Sequence, residues 1–195
     1  AHPGQFFIGV RGGVNAGSGE PTNDMPFWGV YGRYRVRGPW LAGLAVESST
    51  FDFEQPGNLI DVNPVGVVDA ELDSTTVTLW GEYEFQPLAD DGFARGIRPF
   101  AGAGVGVGFV GDDDVSGPTE GGGTFAFDVE GGTEIVPGVV VGLRFDVHEH
   151  FVIELGARAD YHLTEMKVTE TVSDNSADVD DYETYGGYIG FQFRW

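Results

Sequence analysis

Residues 138–163 read GVVVGLRFDVHEHFVIELGARADYHL, which is two strands folded about a three-residue turn at 148–150. Taken alternately, one face before the turn is Val139, Val141, Leu143, Phe145 and Val147. After the turn the same face is Phe151, Ile153, Leu155, Ala157, Ala159, Tyr161 and Leu163. The intervening positions hold every charge in the two spans: Arg144, Asp146, Glu154, Arg158 and Asp160. Successive strand side chains point to opposite faces, so each strand is apolar on one side and charged or small on the other. What covers the apolar face decides the fold.

The same period of two recurs along the chain, while Gly and Pro interrupt every window long enough for a helix. It predicts eight strands: 6–14, 28–36, 40–48, 75–85, 99–109, 139–147, 151–163 and 185–195. Their charged faces carry Arg11, Arg33, Arg35, Glu47, Glu82 and Glu84, then Arg144, Asp146, Glu154, Arg158, Asp160 and Arg194. A soluble lipocalin-like cup would turn the apolar face inward and leave these charges in water. A membrane barrel inverts that arrangement.

Three features favour inversion. The charged face is also small, with Gly102, Gly104, Gly106 and Gly108 along one strand, as a crowded interior requires. The apolar faces carry aromatics near segment ends, among them Trp28, Trp40, Tyr83, Phe151 and Trp195, like an interfacial girdle. Six Arg balance six acids, which a narrow lumen needs because unpaired buried charge is very costly. The expectation is an all-β, eight-stranded antiparallel up-and-down transmembrane β-barrel, with 1–195 as one domain. Its long connections are 15–27, 49–74, 110–138 and 164–184, and its short ones 37–39 and 148–150, with 86–98 intermediate. Long loops on one side and turns on the other place both termini on the turn side.

Composition agrees. The 195 residues include no Cys, which excludes disulfides and thiolate chemistry. No run approaches the ~20 apolar residues of a membrane helix. The net charge of −21 excludes nucleic acid as a partner, since phosphate binding needs clustered bases. A chain opening on AHPGQFFIGV is the expected mature product of signal-peptide removal.

The stretches RPFAGAGVGVGFV (98–110) and 138–163 resemble the fifth strand and the sixth–seventh hairpin of small OmpA-like and OmpW-like outer-membrane barrels, a porin-like β-barrel domain. The ending YIGFQFRW is similar to the C-terminal signal of that family, carried here by Tyr188, Gly190, Phe193 and Trp195. The resemblance implies an integral protein of the bacterial outer membrane, assembled by the barrel assembly machinery and surrounded by membrane lipid and lipopolysaccharide. It also implies a bare barrel, since no peptidoglycan-binding domain follows Trp195.

The charge is unevenly placed. Of 31 acids, six are lumenal and three (Asp90, Asp91, Glu149) lie on the turn side, against Arg37, Arg95 and Arg98. The other 22 sit in the long loops with Lys167 as their one base. That is a solvated, repulsive rim. Within it Asp112, Asp113 and Asp114, and Asp174, Asp178, Asp180 and Asp181, offer hard oxygen ligands for Ca2+ or Mg2+, although neither run has an EF-hand spacing. Such ions would bridge the rim to lipopolysaccharide phosphates or to neighbouring barrels. No other cofactor is expected.

Catalytic motifs are sparse, and no enzyme activity is expected. His148-Glu149-His150 fills a turn and lacks a third metal ligand nearby. His162 and Thr164 are similar to the His-x-Ser element of lipid A deacylases, with Thr in place of Ser and a lumenal parity for His162. GAGVGVG lacks the third glycine spacing and the helix of a dinucleotide site. The lumen residues are the main constellation: six guanidiniums can fork onto six carboxylates as a static plug or as a gate with exchanging partners. Lumenal aromatics expected toward the loops (Phe7, Phe27, Tyr31, Phe51, Phe53) leave open a route for small hydrophobic molecules, as the OmpW-like resemblance implies.

Overall fold

A computed structural model describes residues 4–18, 25–54, 69–119, 122–171 and 175–195. Its strands are β1 (Phe6–Ser18), β2 (Met25–Arg37), β3 (Trp40–Glu54), β4 (Asp69–Glu84), β5 (Ile97–Val110) and β6 (Asp113–Pro118). They continue with β7 (Thr124–Glu130), β8 (Thr133–His148), β9 (Phe151–His162), β10 (Lys167–Glu170), β11 (Asn175–Asp178) and β12 (Tyr182–Arg194). Eight of them close an antiparallel barrel in the order β1-β12-β9-β8-β5-β4-β3-β2. The other four make a separate sheet, β11-β10-β7-β6.

The apolar faces point outward. Trp28 is 67% exposed and Leu79 60%, whereas Glu82 and Glu154 are fully buried. With charge inside and an apolar belt outside, the barrel is one that spans a bilayer. A soluble cup is excluded by that sense. The belt is continuous across strands: Leu44 pairs with Leu79, and Leu79 with Val105. Closure extends to the last residue, because Phe6 and Trp195 exchange backbone hydrogen bonds of 3.3 and 3.2 Å and their rings lie 5.2 Å apart. On the turn side, β2 and β3 join at Gly38, whose φ of 54° falls in the left-handed region that glycine enters without strain.

The barrel strands run further toward the loops than their apolar alternation does. β3 and β4 stay paired out to Glu54 and Asp69, well past the predicted ends at 48 and 75. Above the apolar belt the outer face no longer meets lipid, so the hydrophobic period fades while the backbone ladder continues. The second sheet lies within 110–138 and 164–184, which were expected to be loops. Its signal was the alternation in Phe125, Phe127 and Val129, a run too short to read against its acidic surroundings.

Leu155 sits in the outward belt, opposite Leu143 and Ile189. Leu155→Arg is expected to destabilise the barrel by about 2–4 kcal/mol, the penalty for a cation at the bilayer midplane. Unfolding in lipid, compared with the same change at an exposed rim position, measures it. An effect below 1 kcal/mol would place Leu155 outside the hydrocarbon.

Candidate functional site: a filled lumen under a cap

Barrel parity sends Arg33, Arg35, Glu82, Glu84, Arg144 and Glu154 to one level of the lumen, and burial forces them to pair. Glu154 is the hub. It accepts from Arg33 Nη1 and Nη2 at 2.6 and 2.8 Å and from Arg144 Nε at 2.9 Å. It also accepts from the Tyr188 hydroxyl and Gln192 Nε2, both at 2.7 Å. Arg33 Nε lies 3.0 Å from Glu82, which also binds Arg144. Toward the turns, Glu84 collects Arg35 at 2.7 Å, Arg98 at 3.1 Å and Arg144 at 3.2 Å. Asp146 takes Arg98, and Arg194 at 3.0 Å.

Nearer the loops a second group forms. Glu47 bridges Arg11 (2.6 Å) and Arg158 (2.8 Å), and Arg158 also holds Asp160 at 2.5 Å. Between the two groups lie Tyr31 and Trp80, which share a buried cluster. Arg11 sits 4.2 Å from the Trp80 ring centre and Arg33 4.3 Å from that of Tyr31, so cations stack on the rings from both groups. The lumen glycines make room for aromatic rings. A Cβ on Gly156 would come within 2.4 Å of the Tyr188 ring, and one on Gly142 within 2.7 Å of Phe100.

Above these, His162 Nδ1 is 2.5 Å from Glu134 and its Nε2 is 3.2 Å from the Thr184 hydroxyl. The Tyr182 hydroxyl donates to the other Glu134 oxygen at 3.1 Å and its ring stacks on His162. The second sheet then closes the mouth. Met25, Leu72, Val110 and Tyr182, from the loop ends of four barrel strands, share one buried core with Phe125, Phe127, Val129, Met166, Val168 and Val179. Among the described residues the space between these groups is small, although a wider recess of about 410 Å3 beside Arg35, Glu84 and Arg98 lies at the turn end. One cavity beside Arg11, Trp80 and Arg158 measures about 30 Å3, and another beneath the cap beside Asn15 and His162 measures about 30 Å3. Each has room for about one water.

All twelve lumenal charges named from sequence lie in these groups. Three assignments change. Arg98, expected in a turn-side connection, enters the lumen because β5 begins two residues earlier than predicted, and Glu134, expected in a loop, also becomes lumenal, where His162 and Tyr182 engage it. Phe7, expected toward the loops, lies at the turn end opposite Arg194. Phe27 and Tyr31 are buried in the lumen, and the side chains of Phe51 and Phe53 lie outside the described residues. Trp80, Phe100 and Gln192 were missed, although their even parity on β4, β5 and β12 marked them as lumenal.

Of the terminal signal, Tyr188 and Gly190 take lumenal positions, while Phe193 and Trp195 are exposed on the belt. Among the rim acids, Asp112 accepts the Gly131 N–H at 2.8 Å, and Asp113 accepts those of Glu71 and Asp114 at 3.0 and 2.9 Å. Asp114, Asp178, Asp180 and Asp181 are exposed, and Asp174 falls outside the described residues. His162 bonds Thr184 rather than Thr164, whose hydroxyl instead accepts the Met166 N–H at 3.2 Å.

No protein-family model matches the sequence, and no curated protein matches it. Solved structures match its shape. Neisserial surface protein A superposes with a TM-score of 0.58 at 14% identity, over 97% of this chain and 98% of that one. The chain has the fold of the small outer-membrane β-barrels. Its barrel also resembles OprG of Pseudomonas aeruginosa (TM-score 0.61, 12% identity, 99% and 96% covered). Ail of Yersinia pestis, in complex with the heparin analogue sucrose octasulfate, is a further neighbour (TM-score 0.54, 13% identity, 100% of both chains).

Proposed function

We propose that this outer-membrane barrel is a sealed structural protein of the cell envelope, with permeation limited to rare exchanges of its lumenal ion pairs. The carrying observation is the double closure: a salt-bridged lumen with cavities of about 30 Å3, under an apolar cap. An eight-stranded barrel has little interior beyond its own side chains. No chemistry is assigned to it. His162, the one lumenal histidine among the described residues, is engaged by Glu134 and Thr184 beneath the cap.

Planar-bilayer recording tests the reading. The expected trace is a closed baseline with at most brief, small events. A large, stable conductance from the unmodified protein would sink it.

The rim gives the envelope role a direction. Ail was solved with a polyanion bound, whereas exposed Asp114, Asp178, Asp180 and Asp181 here would repel one. Ca2+ or Mg2+ held at this rim would link it to lipopolysaccharide phosphates or to a neighbouring copy. Insertion would follow recognition of the terminal signal by the barrel assembly machinery.

A further inference from the structure

The outer wall of β8, β9 and β12 is recessed rather than smooth. β8 and β9 pair from His148 and Phe151 up to Gly138 and Asp160, and beyond that meet only at an isolated bridge between Ile135 and Leu163. That bridge is hydrogen-bonded in both directions, at 3.1 and 3.0 Å. Narrow and wide pairs alternate in an antiparallel ladder, so the next bonded pair should be Pro137 with Tyr161. Pro137 has no N–H to give, and the ladder fails there.

Just below the gap, toward the turns, outward side chains are small: Ala103, Val139 and Ala159 form one row that ends at Tyr185. They line a concavity of about 410 Å3 walled by Tyr161 and Tyr185. The next outward positions toward the loops, Ile135, Leu163 and Asp181, line a second concavity of about 300 Å3 with Glu165. The two follow one another along the strands as a furrow, the lower part mostly apolar but edged by Asp160 and Glu183, the upper part edged by Glu165 and Asp181. Glu183 lies at the join and accepts the Tyr185 hydroxyl, and Asp181 accepts that of Tyr161 at 3.5 Å. Among the described residues no base lines either part.

We infer that this furrow is a lipid site for an outer-leaflet amphiphile, with an acyl chain in the lower part and an amine-bearing head group at Asp181, Glu183 and Glu165. Chain and head follow from the two linings: a groove of small residues accepts a methylene chain, and three carboxylates without a cation select a positive head. The inference rests on the belt facing lipid.

The test uses the whole barrel in vesicles carrying a phosphatidylethanolamine with a photoactivatable acyl chain. Crosslinks should concentrate on β5, β8 and β9 near Ala103, Val139 and Ala159. Ala159→Phe, which fills the lower furrow without touching the lumen, should disperse them while leaving folding intact. Asp181→Asn with Glu183→Gln should lower labelling about two- to fivefold, the range of exposed ion pairs. Even labelling around the belt, or no change in Ala159→Phe, would overturn the site. Equal furrow labelling by a phosphatidylglycerol probe with the same chains would overturn the head-group assignment. Absence of crosslinks anywhere would instead overturn the lipid-facing belt itself.

Discussion

Glu154→Leu is expected to destabilise the barrel by about 3–5 kcal/mol, the usual cost of removing one member of a buried ion pair. The carboxylate answers five donors on four residues: both Nη atoms of Arg33, Arg144, Tyr188 and Gln192. Leucine leaves Arg33 with Glu82 alone, and it leaves the hydroxyl and the amide with no acceptor there. The loss is therefore mostly unpaired charge rather than missing attraction. Changing Arg33→Met together with Glu154→Leu should then cost less than Glu154→Leu alone, because Arg144 keeps Glu82 and Glu84. Glu154→Gln, which keeps the shape but removes the charge, should fall between. Urea unfolding in a bilayer gives all three values. Additive costs for Arg33 and Glu154 would mean that the lumen is wet enough to screen its own charges.

These couplings show what the sequence could and could not carry. The hairpin 138–163 told inside from outside because a strand's two faces see different solvents, and one apolar belt repeated eight times leaves few other folds. The members of the plug were readable from parity, but their partners were not. Glu154 and Arg33 are 121 residues apart and meet through barrel closure, which no local spacing encodes. Arg98 and Glu134 were misplaced for a smaller reason. Each lies just beyond the apolar alternation, where the strand continues but its hydrophobic signal stops. The cap was hidden by its own surface: one face of β7 is Phe125, Phe127 and Val129, yet acids and glycines surround it and read as loop. Its apolar face acquires meaning only once Met25, Leu72, Val110 and Tyr182 line the barrel mouth beneath it.

That dependence makes Phe127→Ala the change expected to separate cap from barrel. Phe127 is 1% exposed and packs against Phe125 at 4.9 Å. Truncating a buried Phe costs about 3–5 kcal/mol. Strands of four to seven residues sharing one small core cannot absorb such a loss, so the cap should open locally while the barrel stays folded. Protease should cut the variant within 111–132 and 163–181 and spare the unmodified protein, with resistance to denaturant nearly unchanged. Repulsion among rim acids should favour the open form. Millimolar calcium should then restore protection better than sodium at equal ionic strength, because neighbouring carboxylates can share one divalent ion. Equal protection in the two salts would reduce the acids to a solvated surface. Conductance decides which closure matters. If the ion-paired lumen is itself the barrier, the opened variant will remain as silent as its parent. If it conducts, the cap is the seal and the lumen beneath it is a path.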